Sequence, residues 1–341
     1  MKRFLVILFL LLIVVGCNKE TIEKELEYNY DNSLYQVYAP YKAGVNINYN
    51  VNKIMNKLDL DEVELGLMRI STKYFALSKH YYQAGQYLNT DEVKELLSSE
   101  KLNSVDEVKE YNPEYISYIH EQNYLSKNGE LRGISLAIVL NPYQTYTTPG
   151  GQIKNEECDL ETLIELGKEK GELLYSYIKE KEKLEEVEVL IALYVQNSPT
   201  SLIPGSYKYE SLSKGDNFNK YNKVDEEHHL LTSSYVSKND TRTYDAFLSF
   251  KELISDEKIS ISTTGKAFYQ NKEVSEIKID VNINYASLGE VNALAQLIAH
   301  ELPSLFNTKC NIQVTIKNYS DIKAIVIKYK DENSSKLFLI N

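Results

Sequence analysis

The residue best placed to do chemistry is Cys17. It follows a positive pair, Lys2 and Arg3, an unbroken apolar run from Phe4 to Val15, and then Gly16. The run has the length of a signal-peptide core and is too short to remain as a membrane span. Val14-Val15-Gly16-Cys17 has the pattern of a lipobox, in which a small residue precedes a cysteine whose thiol takes a diacylglyceryl group. Cleavage between Gly16 and Cys17 then makes the cysteine the first residue of the mature chain. Two acyl chains on the glyceryl group, with a third on the amine, hold a protein stably, since one chain is marginal and about two suffice.

Other residue types with chemical potential fall short of a known constellation. His120-Glu121 and His300-Glu301 begin like zinc-protease motifs, but Tyr124 and Ser304 stand where the second histidine is needed. His228-His229 follow Asp225, Glu226 and Glu227, yet adjacent side chains on extended backbone point to opposite faces, so a solvated charged turn is expected there rather than a metal site. Asp59, Asp61, Glu62 and Glu64 lack the glycine and distal glutamate of a calcium loop and read as a wet helix face. No Gly-x-Ser-x-Gly occurs, and Gly150-Gly151 is not followed by Lys-Ser or Lys-Thr. A wall hydrolase using Glu62, Glu64 or Glu121 as acid and base is the weakest reading, because sequence cannot pair carboxylates in space. The expectation is a non-enzyme without metal or cofactor.

Recognition has better candidates. Arg69 and Arg132 could grip a carboxylate through the guanidinium fork or close an internal salt bridge. The chain has 28 Tyr, no Trp and 9 Phe. Tyr81, Tyr82, Gln83, Gln86, Tyr87, Gln122, Asn123 and Tyr124 could line a groove for peptide or cell-wall glycan, or simply pack between helices.

Charge narrows the partners. The chain carries a net charge of −11, and without Lys2 and Arg3 the balance is 36 Lys plus Arg against 49 Asp plus Glu, or −13. That argues against nucleic acid, where phosphate neutralisation dominates, and against a polybasic hold on anionic lipid. The acyl chains are the expected membrane contact, with lipoprotein-processing enzymes as partners and the extracellular face of the cell membrane as the location. Cys158 and Cys310 read as two isolated thiols rather than a bridge, since about 325 residues can build a core without staples.

The elements that must position these residues are partly legible. Residues 1–16 form the signal peptide and 17–33 a polar lipidated tether. An N-terminal α/β lobe is expected over 34–200 and a C-terminal α+β lobe over 201–341. Apolar spacing from Asn50 to Phe75 predicts one or two helices, Asp91 opens a short helix, and Pro113 sits at the first turn of another over Glu114–Tyr124. Gly133–Leu140 and Val187–Val195 are apolar on both faces, as strands covered on two sides are. The helical pattern from Leu160 to Ile178 between them makes a βαβ-like crossover. Residues 197–240 suit an irregular connection with short strands around Ser206–Glu210, and Arg242–Ile254 reads as a helix. In the C-terminal lobe, Ile259–Tyr269 and Val274–Tyr285 form a hairpin with one wet face. A capping box at Ser287 to Glu290 starts a helix that Pro303 stops, and Cys310–Lys317 and Ile322–Tyr329 form a second hairpin. The fold class is α+β, with mixed sheets, packed helices and a ββαββ-like C-terminal lobe.

Several segments resemble the CamS-type sex-pheromone-precursor lipoproteins of Gram-positive bacteria. They are Ala39-Pro-Tyr-Lys42, Leu58 to Ser71, Gln83-Ala-Gly-Gln-Tyr-Leu88, Asn112-Pro-Glu-Tyr115 leading to Glu121-Gln-Asn-Tyr124, Ser201-Leu-Ile-Pro-Gly205 and Lys214-Gly-Asp216, in that order over most of the mature chain. The resemblance implies an exported α+β domain without an assigned activity, and a signal peptide that some members trim to a short apolar mating pheromone. The corresponding stretch here is Leu10 to Gly16. Family members usually carry an arginine shortly after the Pro-Tyr-Lys element, where this chain has Ala43-Gly44-Val45.

Overall fold

The computed structural model describes residues 34–340, apart from 47–48, 50–52, 55, 105–110, 256–259 and 285. The expected signal peptide, Cys17 and the tether lie outside the described residues.

The chain first lays down β1 (Gln36–Val37), α1 (Lys57–Ser71), β2 (Tyr81–Ala84), α2 (Thr90–Leu96), β3 (Ile116–Leu125) and β4 (Leu131–Leu140). A hairpin, β5 (Tyr143–Thr147) and β6 (Ile153–Glu157), precedes the long helix α3 (Leu160–Lys179). β7 (Glu188–Val195), β8 (Ser206–Ser213) and β9 (Asn222–Lys223) complete a seven-stranded sheet of order β1-β2-β3-β4-β7-β8-β9. β4 and β7 pair in parallel, from Gly133 opposite Glu188 to Leu140 opposite Val195, with α3 as the crossover. Alternation explains why both strands are apolar throughout. Ile134, Leu136, Ile138, Val189, Ile191 and Leu193 face α2 and α3, whereas Ala137, Val139, Leu190, Ala192 and Tyr194 face α1.

The second sheet repeats the plan. β10 (Glu226–Leu230), β11 (Ser260–Gln270), β12 (Glu273–Asn284), β13 (Asn311–Asn318), β14 (Asp321–Lys328) and β15 (Ser335–Leu339) lie in chain order. Here too a parallel pair with a helical crossover, β12 with β13, sits between antiparallel neighbours; the first sheet has a second parallel pair, β1 with β2, at its edge. Helices α4 (Ser234–Asn239), α5 (Thr241–Leu253) and α6 (Leu288–Leu305) accompany this sheet. Ile277, Ile279, Val281 and Ile283 of β12 pack with Phe247 and Phe250 of α5 and with Ala295 and Ile298 of α6. On the opposite face Lys317 pairs with Asp280 at 2.9 Å.

Four expectations are corrected. Glu114–Tyr124 is not a helix: Pro113 precedes β3, whose polar centre is satisfied internally and so shows no strand-like alternation. Pro303 does not stop α6, which runs to Leu305; a proline so close to the end disrupts little of the remaining helix. The sheets change between Lys223 and Glu226 rather than at residue 200, because β8 pairs with β7. His228-His229 lies on β10, where His228 stacks on Phe268 at 4.6 Å and His229 on Tyr235 at 3.6 Å, so it is not a solvated turn. No disulfide joins Cys158 and Cys310.

Candidate functional site

α1 forms because Val63, Leu67 and Ile70 recur on one face, and Asn56 caps it by accepting from the Leu58 N–H at 3.0 Å. That face lies on the first sheet, where two buried side chains tie themselves to its backbone. The Tyr207 hydroxyl donates to the Val63 carbonyl at 2.6 Å, and Gln122 Nε2 donates to the Glu64 carbonyl at 2.8 Å.

β2 pairs with β3 over four residues only, Tyr81 to Ala84 against Leu125 to Gln122. It then turns away at Gly85, whose backbone passes so close that an added Cβ would lie 2.6 Å from Glu121 Cβ. From Glu121 back to Tyr118, β2 no longer continues alongside β3. The space left there is a cavity of about 170 Å³ between this edge, α1 and the 41–46 segment. Tyr41, Leu60, Tyr82, Leu88, Tyr118 and Ile119 give it an apolar and aromatic wall, while Asn46, Glu64, His120 and Glu121 bring polar groups.

Each polar group has a distinct state. The Glu121 carboxylate accepts three successive backbone N–H groups, from Gln86 at 2.9 Å, Tyr87 at 2.9 Å and Leu88 at 2.8 Å. Burial pushes its pKa above the ordinary value, and those donors oppose the shift. His120 is half-buried, and desolvation pushes its pKa down to about 4, so it is neutral at pH 7. Gln122 fixes its tautomer. The Gln122 Oε1 accepts from the Tyr124 hydroxyl at 2.9 Å, so the Nε2 amide group donates to His120 Nε2 at 3.1 Å. The imidazole proton is thereby placed on Nδ1, 2.8 Å from the Tyr118 hydroxyl. Glu64 is exposed, with only a long 3.4 Å bond from the Tyr82 hydroxyl and no ion pair among the described residues. Asn46 is buried, donates to the Leu88 carbonyl, and leaves its Oδ1 without a partner.

Of the residues singled out from sequence for recognition, only Tyr82 lines this cavity, together with Glu64, His120 and Glu121, which were considered for catalysis. Gln83, Gln122, Asn123 and Tyr124 are buried, and the Tyr124 ring packs between Tyr35 and Phe75 with centroids 4.8 and 4.7 Å away. Gln86 Nε2 is spent on the carbonyls of Ala43, Ala84 and Gly85, and the Tyr87 side chain is half-buried. Arg69 closes the internal salt bridge that was the alternative to carboxylate recognition. It makes a bidentate pair with Glu226, at 3.0 and 2.8 Å, and a second pair with Glu62. Arg132 pairs with Glu130. The acidic stretch is only partly a wet face: Asp61 and Glu64 are exposed, but Asp59 and Glu62 turn inward. Asp59 is 1 % exposed and accepts from the Tyr194 hydroxyl at 2.6 Å and the Gly205 N–H at 2.6 Å. Burial raises its pKa, and these donors pull it back. Burial would also raise Glu62, but His228 and Arg69 bring it below the ordinary value. Tyr41, Asn46, Leu60 and Tyr118 are missed by local pattern, because they meet only where β2 departs from β3. No group of three or more His, Cys, Asp or Glu is placed to hold a metal among the described residues.

Two mixed sheets, each with a parallel pair joined by a helical crossover, define an α+β protein with a small pocket at the open edge of its first sheet. A family model described as CamS sex pheromone cAM373 precursor matches residues 41–334, and the chain belongs to that family. Solved structures that share the fold include the following two. The sex pheromone precursor of Lactobacillus salivarius subsp. salivarius is 23 % identical with a TM-score of 0.80, over 91 % of this chain and 97 % of that one. The C-terminal domain of the sex pheromone staph-cAM373 precursor of Staphylococcus aureus is 21 % identical with a TM-score of 0.73, over 85 % of this chain and 98 % of that one. No curated protein matches the chain.

Proposed function

We propose that this chain is the precursor of a lipid-anchored surface protein. Its leader is cut before Cys17 and supplies a short apolar peptide ending at Gly16, and its mature domain is a non-enzymatic recognition module on the extracellular face of the membrane. The observation that carries the precursor reading is family membership over 41–334 joined to Val14-Val15-Gly16-Cys17 at the end of an apolar leader. No described helix is long and apolar enough to cross a membrane, which leaves the acyl chains on Cys17 as the proposed hold. Two of the carboxylates considered for hydrolysis are occupied, Glu62 by Arg69 and Glu121 by backbone donors, which supports recognition over catalysis. The pocket beside β3 is the place where a ligand would sit, and four of the segments that resemble the family meet there, through Tyr41, Glu64, Gly85 and Glu121.

Mass spectrometry of membranes and spent medium tests the precursor reading. Wild-type cells should yield acylated Cys17 at the mature amino terminus and a discrete peptide ending at Gly16. Cys17→Ser should yield neither and accumulate the uncut chain. Normal membrane-anchored mature protein in that variant would overturn the reading.

A further inference from the structure

The chemistry of the pocket beside β3 is one-sided. It offers acceptors and π-faces: the Glu64 carboxylate, the buried and unpartnered Asn46 Oδ1, and the rings of Tyr41, Tyr82 and Tyr118. No lysine or arginine lines it among the described residues. Its buried carboxylate, Glu121, already has three backbone donors, and its histidine is neutral. An anionic ligand would meet Glu64 with no compensating cation. A purely apolar one would leave the Asn46 oxygen unsatisfied, which costs about 1–3 kcal/mol for a buried acceptor.

We propose that this pocket binds a primary ammonium group carried on a short apolar stem. Charge attraction comes from Glu64, an N–H bond goes to Asn46 Oδ1, and the tyrosine rings supply the cation–π surface that ammonium groups seek. The stem lies on Leu60, Leu88 and Ile119. About 170 Å³ suits a ligand head of six to eight non-hydrogen atoms, since a dry cavity of roughly 150 Å³ takes benzene. Two sources present that head, a lysine-type side chain and the free amino terminus of an apolar peptide. The inference rests on the recognition reading of the mature domain.

The test is calorimetric titration of the full chain in detergent with n-pentylamine, n-pentanol, Nα-acetyl-lysine amide and leucine amide. Pentylamine should bind at least about tenfold more tightly than pentanol, and Glu64→Gln should remove most of that difference, a factor of ten being the worth of one good polar contact. Glu64 is exposed, so the variant folds; Tyr41→Ser, at a side chain 60 % exposed, is the second probe and should weaken pentylamine several-fold. Acetyl-lysine amide binding alone assigns the side-chain source, and leucine amide binding alone the amino terminus. Equal binding of pentylamine and pentanol would overturn the ammonium proposal while leaving a pocket that recognises ligands. Binding of none of the four would overturn both the proposal and the recognition reading.

Discussion

His120 is an imidazole that the fold keeps from charging. It has Tyr118 on Nδ1 and Gln122 on Nε2, and burial alone takes its pKa from 6.5 to about 4. Between those two values the unfolded chain holds a proton that the native chain does not, so stability falls as pH drops from about 6.5 towards about 4 and is level below. The gap corresponds to on the order of 3 kcal/mol between the ends of the window. Glu121 acts in the opposite sense, because its raised pKa lets the native state take up a proton before the unfolded state does. Comparing His120→Gln with the parent isolates the histidine. Urea midpoints measured from pH 7.5 to 4.5 should fall more steeply for the parent, and its imidazole nitrogen shifts should stay constant down to pH 5. A titration midpoint near 6.5 in those shifts would place the ring in water and refute the assignment.

α1 is fixed to the first sheet by polar contacts at both ends of one connection. Asn56 donates to the carbonyls of Ser198 and Ser201, and Asp59, in the first turn where the helix dipole favours a carboxylate, takes the Gly205 N–H. Gly205 is forced by space, since an added Cβ would lie 1.9 Å from the Val195 carbonyl oxygen. Gly205→Ala should therefore cost about 3 kcal/mol, the upper end for overpacking, and move the loop off Asp59. Thermal melting reads the loss, and a change within 1 kcal/mol would show that the loop slides freely. Elements such as these were legible in proportion to how simply they are buried. β4 and β7 announce themselves because helices cover both faces, and β12 because only one of its faces is covered. β3 does not, because His120, Glu121, Gln122 and Asn123 spend their polarity inside the protein and mimic an exposed helix turn. The segments meeting at the pocket were visible as motifs, yet their meeting depends on β2 ending at Ala84 while β3 runs on, which no local pattern encodes.

One guanidinium bridges elements of the two sheets. Arg69 leaves the last turn of α1, grips Glu226 of β10 with both arms of its fork, takes Glu62 as a second partner, and lies 4.4 Å over the ring of Phe268 on β11. Gln270 adds a bond to Glu226 at 3.1 Å, and His228 stands 3.4 Å from Glu62. Removing the arginine leaves two mostly buried carboxylates facing each other, which costs about 3 kcal/mol or more, whereas the net worth of the intact cluster over an apolar one is small. Arg69→Lys keeps the charge but loses the fork and the flat contact with Phe268, so it should recover only part of the loss. Arg69→Met combined with Glu226→Gln should cost less than the sum of the two single changes by about 1 kcal/mol or more, because each leaves the other's partner unpaired. Hydrogen exchange decides whether this cluster joins the sheets into one cooperative unit. In Arg69→Met, amides of α1 and of β10 to β11 should speed up together. Faster exchange in α1 alone would mean that the sheets open independently and that the cluster only anchors the helix.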